Sequence, residues 1–286
     1  MKIGILSSGA LGATILSELL NTRNVVLVMT DKNSLEIITI CKKSNIPYFV
    51  GNPRNGKSKE FIATLDIDVL ISINYVFLID GDLINWPSKI AFNLHGSLLP
   101  KYRGRTPHVW AIINNESETG ITAHLIDNGC DTGNIINQIK IPITKLDTGG
   151  TILQKFIKDY RPLIESVLNQ LELGTLSTIP QNNQKFSFFG KRTPGDGRIN
   201  WNWQKERIYN WVRAQSFPYP GAFTFYKKNK LIIDRINYVD TSYRYDMPNG
   251  LVISSDPLLV KTPNGVICLV EMRDNNFKIE DGDILN

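Results

Sequence analysis

The sequence predicts an α/β protein: a Rossmann-like domain built on a mostly parallel sheet, followed by a smaller OB-like β-barrel domain. Three observations predict it. The first half alternates short apolar runs with stretches of helical periodicity, the pattern of parallel strands covered by helices. A cluster of turn formers, GKRTPGDG at Gly190–Gly197, then punctuates the chain. Beyond it, short alternating runs separated by turn signals take over, as in a small barrel. The expected domains are residues 1–189 and 190–286.

Each element has a local reason. Ile3–Leu6 is a short apolar run and reads as the first strand. Leu11, Ile15 and Leu19 recur at helical spacing and form one buried stripe. Gly9 and Gly12 fall at the turn between these two elements. With Gly4 they do not make G-x-G-x-x-G, and no acidic residue stands obviously at the end of the second strand. A tight strand-to-helix turn is therefore preferred to a dinucleotide site. Val25–Met29 reads as the second strand, and Ser34 as the cap of a helix with Leu35, Ile38 and Cys41 on its buried side. Tyr48–Val50, Val69–Ile73 and Ala91–Leu94 are further strands, and Ile121–Ile126 with Ile135–Ile143 a later antiparallel pair. Ile152, Phe156, Val167, Leu168 and Leu171 mark a long helix that Pro162 should break or kink and Gly174 should stop. In the second half, Gln204–Gln215 reads as a helix with Ile208, Trp211 and Val212 on one face. The strands expected after it are Ala222–Tyr226, Lys230–Tyr238, Gly250–Ser254, Leu258–Thr262 and Gly265–Met272.

Composition narrows the function classes. The 286 residues are 42% hydrophobic and 21% charged, the balance of a soluble globular chain of one large or two ordinary domains. No apolar run is long enough to span a bilayer, and no basic leader precedes the first strand. Cys41, Cys130 and Cys268 are too few and scattered for a disulfide framework, so a reducing cytoplasm is expected. The net charge of +5 is dispersed, which fits an anionic small substrate at least as well as nucleic acid. The exception to that dispersal is Lys101–Arg105.

That basic cluster closes the most informative stretch, FNLHGSLLPKYRGR at Phe92–Arg105. Asn93 and His95 alternate at the end of a strand-like run and so share a face. A second segment, DNGCDTG at Asp127–Gly133, brings Asp131 after another apolar run. Taken singly, each is a common cap, turn or structural residue. Together, a carboxamide, an imidazole and a carboxylate are the groups that acyl transfer to an amine needs. Asn93 would steady the oxyanion, an interaction worth about 2.7–4 kcal/mol in comparable sites. His95 would take the proton of the attacking amine, and Asp131 would raise the His95 pKa and make it the stronger base. Neither Ser97 nor Cys130 has an activating base of its own, so no covalent intermediate is expected. The histidines and cysteines lack metal-ligand spacing, so no metal is expected.

These motifs resemble those of the 10-formyltetrahydrofolate-dependent formyltransferases: Asn-x-His, then SLLP-x-x-x-G, then an Asp before Thr-Gly. RTPGDGRINW, WVRA and FPYPGAF are similar to the linker and barrel entry of the longer members, so the resemblance extends over most of the chain. FNLHGSLLPKYRGR and ETGITAH are similar to the formyltransferase part of the enzyme that makes formylated UDP-aminoarabinose. The resemblance implies 10-formyltetrahydrofolate as co-substrate and catalytic positions at Asn93, His95 and Asp131. It implies folate contacts at Phe77, Leu78 and Ile79, at Arg105, and along Asp127, Asn128, Gly129 and Cys130. Ser8, Lys101 and Arg103 are candidates for the acceptor, whose pyrophosphate would need cations, and the residues alone do not divide Lys101, Arg103 and Arg105 between acceptor and folate.

Within the family the acceptor is chosen by elimination. TDKNS at Thr30–Ser34 runs almost directly into a helix and leaves out the basic insertion usual in methionyl-tRNA formyltransferase, which stays as the alternative. Met1 begins the first strand, leaving no room for the regulatory domain of the formate-releasing hydrolase, and the chain continues past the end of the purine-pathway member. A UDP- or dTDP-linked amino sugar is therefore the expected partner, in a pathway to cell-surface polysaccharide. No membrane contact is expected, and a homodimer is compatible with the barrel.

Overall fold

The structure is a computed structural model and describes residues 1–273 and 277–286. The chain forms two compact units. The first comprises Met1–Gly104, Thr119–Ile141 and Gln154–Phe189; the second comprises Arg105–Glu118, Pro142–Leu153 and Gly190–Asn286. The sequence reading assigned 105–118 and 142–153 to residues 1–189, whereas the structure groups them with the C-terminal residues. The reason is a set of long-range bonds. Arg213 donates to the carbonyls of Thr144 (2.8 Å) and Asp147 (2.8 Å), and Asn210 donates to Asn115 Oδ1 (3.0 Å). No local pattern reports such bonds.

The first unit begins with β1 (Lys2–Ser7), α1 (Gly9–Leu20), β2 (Asn24–Thr30), α2 (Leu35–Lys43) and β3 (Tyr48–Val50). The short α3 (Lys59–Ile62) and α4 (Gly81–Ile84) flank β4 (Val69–Ile73), and β5 (Ile90–His95) follows. The chain goes on through β6 (Arg103–Gly104), α5 (Pro107–Ile113), β7 (Glu118–Leu125), β8 (Ile135–Pro142), α6 (Gly149–Glu172) and β9 (Phe188–Phe189). The main sheet has the order β3-β2-β1-β4-β5-β7-β8. Strands β1 to β5 pair in parallel, and β7 runs antiparallel to β5. The order reverses at β1/β4, and clefts in such sheets open beyond the carboxyl ends of the strands. Leu6, Leu27, Met29, Ile67, Leu70, Leu83 and Ala91 pack as one core cluster.

Two helices differ from expectation. In α2 the buried residues are Ile37 and Cys41, while Leu35 is 69% exposed. Ser34 sits at the N-cap without capping: its hydroxyl donates to Asp31 Oδ2 (2.5 Å) and accepts from Gly9 N (2.9 Å). Asp31 directly follows β2, contrary to the sequence reading that no acid stands there. Its carboxylate is engaged by Asn33 N and Ser34 Oγ, which shapes the turn into α2. In α6, Pro162 neither ends nor divides the helix. Pro162 is exposed, so water can serve the carbonyl its missing N–H leaves free. Phe156, Tyr160, Leu163, Ile164, Val167 and Leu168 are all buried. At roughly 1.5–3 kcal/mol per buried side chain, they outweigh the proline's cost of about 3 kcal/mol. Gly174, at φ +67°, ends the helix as expected, its N–H bonding the Leu171 carbonyl and the Thr175 N–H that of Gln170. Gly12 lies at a close approach: a Cβ there would lie 2.1 Å from Ser7 Oγ, so the Ser7 hydroxyl would have to turn away.

The second unit contains α5, α7 (Lys205–Gln215), β10 (Ala222–Tyr226), β11 (Asn229–Val239), β12 (Val252–Ser255), β13 (Leu258–Thr262) and β14 (Gly265–Arg273). Its five antiparallel strands run β10-β11-β14-β13-β12 as a half-barrel. The C-terminal residues reach both edges of this sheet: Leu285 bridges Tyr226 at the end of β10, and Ile284 bridges Leu251 just before β12. Ile208, Trp211 and Val212 are buried on α7, as its periodicity predicts.

Candidate active site

The site is built on β5. Asn93 lies between Ser72 of β4 and His124 of β7, and His95 lies opposite Thr122. Alternation along the strand gives Asn93 and His95 a common face. Thr122 fixes the chain that leaves β5: its hydroxyl donates to the Ser97 carbonyl (2.6 Å) and accepts from Leu99 N (3.2 Å). The returning chain brings the Tyr102 carbonyl to His95, which donates to it through Nε2–H at 2.8 Å. A nitrogen facing a carbonyl must carry the proton, so the unprotonated nitrogen of neutral His95 is Nδ1. That atom lies 3.5 Å from Asp131 Oδ1.

Asp131 stands in the loop after β7 at φ +57°. Gly104 N donates to its Oδ2 at 2.9 Å, and its Oδ1 also faces His124 Nε2 at 3.6 Å. His124 donates through Nδ1 to the Leu125 carbonyl (2.8 Å) and accepts at Nε2 from Asn93 Nδ2 (3.1 Å). The structure thus connects Asn93, His124, Asp131 and His95 in one chain of contacts. His124 is the member that residue reasoning did not assign. The ETGITAH motif ends on it, but its position opposite Asn93 comes from the antiparallel register, which is not local.

Burial tunes these groups. It lowers the His95 pKa by more than Asp131 and the Tyr102 carbonyl raise it, with His124 and Arg103 lowering it further. Asp131 raises the His95 pKa as expected, but it offsets only part of the desolvation. His95 is consequently neutral near pH 7, with Nδ1 free to accept a proton. Burial also pushes the Asp131 carboxyl upward, but His95, His124 and Gly104 N together hold it well below the usual carboxylate range.

The remaining expected residues divide. Phe77, Leu78 and Ile79 follow β4: Phe77 stands edge-on to Tyr75, Leu78 is 57% exposed, and Ile79 packs on the core cluster. Asp127 accepts from Gly129 N (3.0 Å) and Thr132 Oγ1 (2.6 Å), closing the loop that carries Asn128 and Cys130. Ser8 is buried at the β1 end, its carbonyl accepting from Asn74 Nδ2 (3.0 Å), and Lys101 is exposed. Arg103 is buried and donates to Gln181 Oε1 and Asn183 Oδ1, where the 178–189 segment returns beside it. Arg105 is exposed and belongs to the second unit. Among the described residues, no group of three or more His, Cys, Asp or Glu side chains is placed to hold a metal ion. No helix among them is long and apolar enough to cross a membrane.

Two family models match the chain: formyl transferase over residues 1–168 and formyl transferase, C-terminal domain, over 191–285. Among solved structures, an N-formyltransferase from Helicobacter canadensis, in complex with folinic acid and dTDP-3-aminofucose, is 23% identical. It matches with a TM-score of 0.70, covering 94% of this chain and 98% of that one. WlaRD, a sugar 3N-formyltransferase solved in the presence of dTDP and 5-N-formyl-THF, is 22% identical, with a TM-score of 0.67 over 96% and 98%. A 4-N formyltransferase from Francisella tularensis is 20% identical, with a TM-score of 0.67 over 81% and 96%. The chain belongs to the formyl transferase family and is a transferase enzyme.

Proposed function

We propose that this formyltransferase moves the formyl group of 10-formyltetrahydrofolate to the amine of a nucleotide-linked deoxy-amino sugar. The observation that carries the reading is the unprotonated Nδ1 of buried His95, backed by the Asp131 carboxylate and joined through His124 to the Asn93 amide. The acceptor amine attacks the formyl carbon as His95 Nδ1 takes its proton. The imidazolium that results lies against a carboxylate, which stabilises it. One N–H of the Asn93 amide is engaged by His124, and the other is available for the oxygen that gains negative charge. Collapse of the adduct breaks the bond to the folate nitrogen, which leaves with the proton from His95. The products are the N-formyl sugar and tetrahydrofolate.

Support for a sugar acceptor comes from the similar structures, which are sugar N-formyltransferases and match both the sheet and the barrel regions. The connection from β2 to α2 spans only Asp31–Ser34, with no basic insertion suited to a tRNA. The test is incubation with the formyl donor and a panel of UDP-, dTDP- and GDP-linked amino sugars, with charged initiator tRNA alongside. Mass spectrometry should show one added formyl group on a sugar nucleotide. Formylation of the tRNA alone would overturn the reading.

A further inference from the structure

We propose that Gln181 is a positioning residue for this transfer: it holds the Asp131 main chain so that the carboxylate faces His95. The inference rests on the formyl-transfer reading above and adds a residue that no motif marks. Gln181 Nε2 donates to the carbonyls of Asp131 (2.9 Å) and Gly133 (2.7 Å). Its Oε1 accepts from Arg103 Nε (3.1 Å) and Nη2 (2.7 Å). A flipped carboxamide would turn donors toward a guanidinium and an acceptor toward two carbonyls, so only one orientation satisfies every partner.

The same short piece of main chain controls both ends of the acid–base pair. The Tyr102 carbonyl takes the His95 Nε2–H, and Gly104 N reaches Asp131 Oδ2. Arg103, between them, is the residue that Gln181 grips. The 178–189 strap is itself anchored twice. Ile179 exchanges two main-chain bonds with Ile135, each 2.8 Å. Phe188 and Phe189 pair in parallel with Arg103 and Gly104, and the Phe189 ring stacks on Tyr102 at 4.9 Å. Asp131 needs such support, because its left-handed backbone is unfavourable for a residue with a Cβ.

The test replaces Gln181 by Leu, which keeps the bulk and removes every hydrogen bond. His95 titration is followed by NMR of the labelled imidazoles in the enzyme without substrates, beside Asp131→Asn. The titratable and charged groups facing His95 are Asp131, His124 and Arg103, and of these only Asp131 raises its pKa. Gln181→Leu should therefore shift the His95 titration to lower pH, in the direction of Asp131→Asn. It should lower kcat at least about tenfold while both KM values stay within about twofold. If Gln181→Leu does not fold, Gln181→Glu tests the same point, because it keeps an acceptor for Arg103 but cannot donate to the carbonyls. Its kcat should fall likewise. An unmoved His95 titration in Gln181→Leu, with or without a loss of kcat, overturns the positioning role. So does a wild-type kcat in Gln181→Glu. Failure of the wild-type enzyme to formylate any sugar nucleotide would instead refute the proposed function, and the His95 titration would still report on Gln181.

Discussion

Asn93 and His95 are carried by a strand paired on both sides, whereas Asp131 stands in a loop at φ +57°. The strand pair shares a face because of the pleat alone, and its ladders on β4 and β7 fix its height in the site. The acid is placed by bonds from residues far away in sequence: Gly104 N to its carboxylate, and Gln181 to its carbonyl. The two regions meet at the contact between His95 Nδ1 and Asp131 Oδ1. In the proposed reaction the strand supplies the reacting groups, and the loop supplies the charge that tunes one of them. A substitution on the strand should therefore remove chemistry, and one in the loop should retune it.

The largest effect is expected on the strand. His95→Gln removes the proposed base, and kcat should fall by about 10²–10⁴-fold, the usual worth of general base catalysis. Single-turnover formyl transfer, quenched and read by mass, checks it. A loss smaller than about fivefold would remove His95 from the proton-transfer role.

A smaller effect of a different kind is expected in the loop. Asp131→Asn leaves Nδ1 without its carboxylate, and burial then lowers the His95 pKa against the Tyr102 carbonyl alone. The acidic limb of the pH–rate profile should move to lower pH while kcat falls by roughly 10–100-fold. An acidic limb that stays in place would separate Asp131 from the tuning of His95 and collapse the comparison.

The smallest effect concerns stability. The His95 pKa is lowered in the folded enzyme, so the unfolded chain binds more protons as pH falls. Stability should be fully present above the ordinary histidine pKa of about 6.5 and decline below it. The Asp131 carboxyl is also lowered, so a further loss should follow once pH falls through the ordinary carboxylate range. Denaturant midpoints measured at a series of pH values should show the first decline in the wild type and a weaker one in His95→Gln. Equal declines in both would place the charge burial elsewhere.

Much of the fold could be read locally. Val69–Ile73, Ala222–Tyr226 and Leu258–Thr262 coincide with the observed β4, β10 and β13, because short apolar runs between turn formers have few other ways to be buried. Errors arose where propensity met packing. Pro162 was expected to interrupt α6, but six buried side chains and an exposed ring overrode it. Leu35 was expected on the inner side of α2, where Ile37, two residues on, takes that place. In the site, the spacing of Asn93 and His95 was enough to pair them. Asp131 was named from its motif, but the partners that hold it were not.

By itself the sequence determined the strand carrying Asn93 and His95, the tight glycine turn after β1, the change from sheet to barrel, and family membership. All of these depend on side-chain periodicity, turn chemistry or motifs within a few residues. Tertiary structure alone decided that His124 stands between Asn93 and Asp131, that Arg103 turns to Gln181, and that burial outweighs the raising effect of Asp131 on the His95 pKa. Register and desolvation arise only when distant segments pack, and no local pattern carries them.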